Sequence, residues 1–166
     1  MQDNLQGEAP GRQIKRPLHI ADASVDDKGR LKVPVDFAEY LESFGGKTLF
    51  ITTLDERIGL IYPESKWESN MDKLWQSDDL DAAKTTDLDA KAYGGRAEIG
   101  EAGRTLLPAN FRKTLGIEPK KTQVFLNCLE GCVQVFTEQV YDEIRTENRM
   151  KRAGAHAHLS KIGFIH

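Results

Sequence analysis

Cysteine is nearly missing: only Cys128 and Cys132 are present, so no disulfide framework holds the fold and a reducing setting fits. No apolar run approaches the roughly 18 residues of a membrane span. The opening stretch, MQDNLQGEAPGRQIKRPLHI, lacks the apolar middle of a secretion signal, and the expected compartment is the cytoplasm. A Ser/His/Asp order, a P-loop and a dinucleotide-type glycine pattern are all absent, so no enzyme is expected. The acidic residues from 78 to 89 lack the fixed spacing of a catalytic or calcium site and read as a solvated face. Cys128, Cys132, His156 and His158 could supply a zinc set. However, Cys128 and Cys132 flank an expected hairpin turn, where small apolar packing is the simpler role. No metal or cofactor is expected.

What is present is enough for a core. The 166 residues are 39% hydrophobic, and the net charge is −3, which argues against a uniformly basic nucleic-acid binder. Charge is unevenly spread. From Glu64 to Asp89 eight acidic residues face three lysines, a local net of −5, whereas from Arg145 onward five bases face Glu147 alone, a local net of +4.

The chain also writes one unit twice. "DDKGRLKVPVDF" at 26–37 is repeated in layout by "GEAGRTLLPANF" at 100–111, and an offset of 74 carried without a gap from about residue 23 to residue 68 pairs Gly29 with Gly103, Arg30 with Arg104, Pro34 with Pro108 and Phe37 with Phe111. Each copy reads as strand, turn, strand, short helix, hairpin, helix, an α+β pattern. Leu31 and Val33 alternate with Arg30 and Lys32, placing the apolar pair on one face of a strand and the bases on the other. Pro34 pre-sets a helical turn, and Phe37, Leu41 and Phe44 recur at helical spacing. "KTLFITTL" with "RIGLIY", and "KTQVFLNC" with "CVQVF", read as hairpins. After each hairpin a helix turns Trp67, Met71 and Leu74, or Val140, Tyr141 and Ile144, inward. Trp67, Trp75, Phe37 and Phe111 are core candidates.

The expected organisation is a tail over 1–16, a first half over 17–75, an acidic linker or short exposed helix over 76–92, a second half over 93–149 and a basic tail over 150–166. Units this small cannot bury enough surface alone, so the halves should interleave about an approximate two-fold axis, with their Gly-Arg turns on one side. A partner with its own repeat fits that arrangement, and duplex DNA is the commonest. In extended backbone Lys28, Arg30 and Lys32 leave by the same face, Gly29 permits positive φ, and Asp26 can accept backbone N–H groups or pair with Arg30. Arginine is favoured where a planar fork must meet phosphate or guanine.

Asp26, Lys28, Gly29, Arg30, Leu31 and Pro34 resemble the D-x-K-G-R-l-x-x-P turn of the MraZ family, regulators associated with the bacterial cell-division and cell-wall gene cluster and related to AbrB-like swapped-hairpin DNA-binding modules. The likeness runs from about His19 to Ile144 and includes "LIYPESKWE" and "GRTLLPANFRKTLGI". It implies two intertwined AbrB-like β-α-β-β-α halves around a pseudo-two-fold, barrel-like core with flanking helices. It further implies a transcription regulator in a ring-shaped homo-oligomer that meets repeated promoter boxes in double-stranded DNA, and hence a place at the nucleoid, with no membrane and no small-molecule substrate. The DNA-binding residues it implies are Asp26, Lys28, Arg30, Lys32, Arg104 and Arg112. Some positions depart from the family pattern. Gly100 stands where the second Asp belongs, Ala38 replaces an Arg that Arg112 retains in the second copy, Ala102 and Leu106 replace the counterparts of Lys28 and Lys32, and the linker is acidic. The first turn is therefore expected to make the stronger contact. The remaining alternative is an oligomeric protein-interaction scaffold of the same fold with weakened DNA binding.

Overall fold

A computed structural model of the chain describes residues 14–117 and 119–165. Its strands are β1 (Ile20–Val25), β2 (Arg30–Lys32), β3 (Thr48–Thr53), β4 (Gly59–Pro63), β5 (Gly95–Glu98), β6 (Arg104–Leu106), β7 (Thr122–Leu129) and β8 (Cys132–Thr137). The helices are α1 (Val35–Glu42), α2 (Glu64–Trp75), α3 (Leu80–Ala92), α4 (Ala109–Leu115) and α5 (Glu138–Lys161). All eight strands form one antiparallel sheet in the order β5-β3-β4-β8-β7-β1-β2-β6, and its end strands β5 and β6 lie side by side, so the sheet nearly closes into a barrel.

The order encodes the duplication. Exchanging each strand with its counterpart, β1 with β5, β2 with β6, β3 with β7 and β4 with β8, returns the same circuit read in reverse. Two ladders therefore map onto themselves, and in each the central pair joins positions 74 apart: Leu31 with Thr105 between β2 and β6, and Leu60 with Gln134 between β4 and β8. The pseudo-two-fold axis passes through these pairs at opposite poles of the barrel.

The halves are intertwined in their packing as well. Phe37 and Phe111, from α1 and α4, are fully buried. Phe111 of the second half lies over Gly59 of the first, where a Cβ would come within 2.5 Å of its ring. The Tyr40 hydroxyl accepts the N–H of Gly131 at 3.0 Å, tying α1 to the β7–β8 hairpin. Pro34 and Pro108 both stand immediately before their helices, as their fixed φ favours.

The sequence repeat is not gapless. Phe50 stacks on Trp67 and pairs across the hairpin with Tyr62, while Phe125 stacks on Tyr141 and pairs with Phe136. Phe50 therefore corresponds to Phe125, and the offset within β3 and β7 is 75, not 74. Counted between aromatic positions, Phe111 to Phe125 is one residue longer than Phe37 to Phe50, and Phe125 to Phe136 is one shorter than Phe50 to Tyr62. The slip is confined between them. Because side chains alternate with period two, matching Phe50 to Val124 would have put a half-exposed ring onto a fully buried valine.

Four other expectations change. The acidic segment holds α3, capped by the Asp79 side chain on the Ala82 N–H. The helix is not wholly exposed: Ala83 and Ala90 are buried, and Thr52 donates to the Ala90 carbonyl at 2.8 Å. Small side chains let this polar helix lie close to the sheet without an apolar stripe. At the other end, α5 continues through residues 150–161, where a tail was expected, although these residues remain largely exposed. Helix-favouring Lys, Arg, Met and Ala extend a helix already started by the Thr137 cap, and apolar periodicity is not required for that. Trp75, at the end of α2, is 41% exposed and lies outside the core. Ile14 packs against the core and Pro17 is buried. The remainder of the expected N-terminal tail, residues 1–13, lies outside the described residues.

Because Phe37 and Phe111 fill corresponding places, Phe37→Ala and Phe111→Ala are expected to lower the unfolding free energy by similar amounts, about 3–5 kcal/mol each, in denaturant titrations.

Candidate nucleic-acid interface

The β2–β6 ladder has a simple consequence for side-chain direction. Arg30 lies opposite Leu106, Leu31 opposite Thr105, and Lys32 opposite Arg104. Leu31 and Thr105 point into the barrel and are buried, so the flanking four, Arg30, Lys32, Arg104 and Leu106, must share the outer face. Arg30 and Arg104 are diagonal neighbours, with Cα atoms about 7–8 Å apart by ladder geometry. The pole of the pseudo-two-fold axis thus carries both arginines, Lys32 between them, and a bare Leu106 that is 58% exposed.

The first turn is tightly specified. The Asp26 N–H donates to the Arg30 carbonyl at 2.9 Å, and the Gly29 N–H to the Asp26 carbonyl at 3.0 Å. Asp26 Oδ1 accepts the N–H groups of Lys28 (3.0 Å) and Arg30 (2.8 Å), while Oδ2 accepts the Arg30 Nε–H at 2.8 Å. One carboxylate therefore holds both the main chain and the guanidinium. Only the Nε donor of Arg30 is used in that bond, so its terminal nitrogens remain as donors. Gly29 has φ of +81°, the left-handed region the turn needs. The Arg30 backbone N–H is the main influence holding the Asp26 carboxyl below the usual aspartate value of 3.8; the Arg30 guanidinium and the Lys28 N–H act in the same direction, and partial desolvation opposes them.

The second turn keeps the backbone and loses the clamp. The Gly100 N–H donates to the Arg104 carbonyl at 2.8 Å, and Gly103 repeats the positive φ at +72°. Ala102, in the place of Lys28, also takes a positive φ of +58°, a costly conformation for a residue with a Cβ. Gly100 has no carboxylate to offer. Among the described residues no hydrogen bond or ion pair to the Arg104 side chain is found, and the residue is exposed.

The structure brings Asp26, Arg30, Lys32 and Arg104 together and leaves Lys28 exposed at the tip of the first turn. Arg112 is different. It is half-buried on α4, donates from Nε to the Leu107 carbonyl at 3.1 Å, and lies against Gly29 instead of joining the outer four. The sequence reading missed Lys121, which, with Asp22, Ser24, Lys32 and Gln123, lines a depression of about 560 Å³ beside the ladder. Its presence in the repeat was visible, but its proximity to Lys32 depends on β7 lying next to β1 and β1 next to β2. Cys128 and Cys132 are buried in the β7–β8 wall, and burial pushes their thiols up to about 11 and about 12. Among the described residues no group of three or more candidate metal ligands occurs, and no helix is long and apolar enough to cross a membrane.

Together these features define a duplicated swapped-hairpin barrel with an arginine-bearing turn from each half at one pole. Its relatives are specific. No family model matches the chain, but "Transcriptional regulator MraZ" of Acidobacterium capsulatum is 34% identical over 129 residues, covering 77% of this chain and 80% of the relative. The protein of that name from Koribacter versatilis is 32% identical over 96 residues, or 57% of this chain and 65% of the relative. That of Lachnoclostridium phytofermentans is 24% identical over 139 residues, or 84% and 92%. The chain belongs to the MraZ family.

The depressed Asp26 carboxyl sets the sign of a pH effect. Its folded value lies below its unfolded one, so its contribution to turn stability is present above the unfolded value and is lost as pH falls through the folded one. A carboxyl NMR titration is expected to place the Asp26 midpoint below 3.8, and Asp26→Asn is expected to speed amide exchange at Lys28 and Arg30 at neutral pH. A midpoint at or above 3.8 would contradict the clamp.

Proposed function

We propose that the protein is a sequence-specific DNA-binding transcription regulator that docks its β2–β6 pole on duplex DNA. The observation that carries this is the sharing of one outer face by Arg30 and Arg104. Arg30 supplies a fork already oriented by Asp26, so less side-chain entropy is lost on meeting phosphate or a guanine edge. Lys28, Lys32 and Lys121 add phosphate contacts around it. Arg104, free of a carboxylate, contributes a weaker and more adaptable contact. The regulator names of the relatives point the same way.

The finer parts of the proposal are that the protein acts on its own upstream region and on a cell-division and cell-wall gene cluster. It does so as a homo-oligomer, in the ring form, that places several poles on repeated promoter boxes. A bacterial regulator of this kind works at the nucleoid in the cytoplasm. Multiple poles raise avidity without new contacts, because each later docking is intramolecular. A second reading, a protein-interaction scaffold of the same fold, is favoured by the bare Leu106 and the unclamped second turn on the same face.

Salt dependence separates the two. Binding of the chain's own upstream DNA is expected to weaken steeply with salt, with a log-log slope near −0.9 per phosphate contact. Arg30→Ala is expected to abolish binding and Arg104→Ala to weaken it, with both variants folded. Wild-type affinity in Arg30→Ala, or a flat salt response, would favour the scaffold instead.

A further inference from the structure

The arrangement around Gly29 assigns a task to Arg112 that differs from contacting DNA. Gly29 is buried, and a Cβ placed on it would collide with the Arg112 guanidinium, lying 2.6 Å from Nε and from Nη1. The planar guanidinium therefore rests directly against the backbone of the first turn. Its Nε–H is bonded to the Leu107 carbonyl, and the Leu107 N–H in turn donates to the Gly29 carbonyl at 2.9 Å. A residue of the second half thus braces the turn of the first, through contact on one side and the Leu107 peptide on the other.

The other half has the same backbone without the brace. The Val33 N–H donates to the Gly103 carbonyl at 2.9 Å, as Leu107 does to Gly29. The α1 residue corresponding to Arg112 is Ala38, 74 positions earlier. In the space an arginine would take lies a cavity of about 400 Å³, lined by Ala38, Val33, Lys32 and the second turn from Gly100 to Gly103 among others. The matching hollow on α4 is about 310 Å³, and no residue of the first turn lines it.

We propose that Arg112 is the positioning residue of the first DNA-reading turn, and that the second turn is slack because Ala38 leaves its brace out. The proposal rests on the reading of Arg30 as a DNA contact. A brace costs the free protein flexibility before DNA arrives, so ordering that would otherwise oppose binding is already complete. It also gives Gly29 two duties, a left-handed backbone and room for a side chain from the other half.

The test uses the full-length protein in its native assembly, with duplex upstream DNA as the probe. Amide hydrogen exchange is measured without DNA, and affinity is measured across salt. Arg112→Lys keeps the charge but lacks the Nε donor and the flat fork. For a brace, Arg112→Lys and Arg112→Ala should behave alike: faster exchange at Arg30 and Leu107, and DNA binding weaker by about tenfold. Ala38→Arg should do the reverse at the second turn, slowing exchange at Val33 and Gly103 and tightening binding severalfold; this arm still decides the matter should the Arg112 variants fail to fold.

Wild-type affinity in Arg112→Lys, combined with lost affinity and unchanged exchange in Arg112→Ala, would make Arg112 a direct phosphate contact and overturn the brace. So would wild-type affinity in both Arg112 variants while Arg30→Ala abolishes binding. If Arg30→Ala itself bound normally, the contact assignment would fall first, and Arg112 would have no DNA role to support.

Discussion

Three residues from each half pair across the pseudo-two-fold axis where β2 meets β6, and the rest of the proposed interface depends on that register. Central Leu31 and Thr105 face inward. With the side-chain period of two, Arg30, Lys32, Arg104 and Leu106 then have no choice but the outer face. A slip of one residue would send the arginines into a core that offers no partner for charge, at a cost no domain of this size sustains. The same apolar contacts that close the barrel therefore fix the direction of the basic side chains, so stability and site share one constraint.

Symmetry of backbone has not brought symmetry of chemistry. Both turns carry the left-handed glycine and the same main-chain bonds. The first adds a carboxylate above, from Asp26, and a guanidinium beneath, from Arg112; the second has Gly100 and Ala38 in those places. The two arginines stand at corresponding positions but with different freedom, which on the proposed interface sets them apart. Arg30 is held before contact, whereas Arg104 must give up rotamer entropy on contact. A pseudo-symmetric chain can in this way present one firm and one adaptable point to a two-fold partner.

Local chemistry was the part most legible in sequence. Asp26, Gly29 and Arg30 lie within five positions of one another, so their turn follows from spacing alone, and the recurrence of Gly-Arg, Pro and Phe announced the duplication. Features that depend on contacts between the halves were less accessible. The brace joins positions 29 and 112, and nothing in either local stretch marks them as neighbours; the signal was one difference among several between the copies, Arg112 against Ala38. The one-residue slip in β3 was concealed because Lys47 and Thr48 match Lys121 and Thr122 at the simple offset, while the aromatic stacks that reveal the true alignment are tertiary. In α3 and beyond residue 150, helices formed without an apolar stripe, through alanine packing in one and cap and propensity in the other, and a search for periodicity passes over both.

The central claim is that the Leu31–Thr105 pole, and not the Leu60–Gln134 pole, faces DNA. Site-specific photo-cross-linking tests it most directly, with a photoreactive side chain placed at exposed Leu106 in one protein and at Leu60 in another, each bound to duplex upstream DNA. Covalent DNA adducts from position 106 and none from position 60 are the predicted result. Adducts from position 60 with none from position 106 would contradict the account.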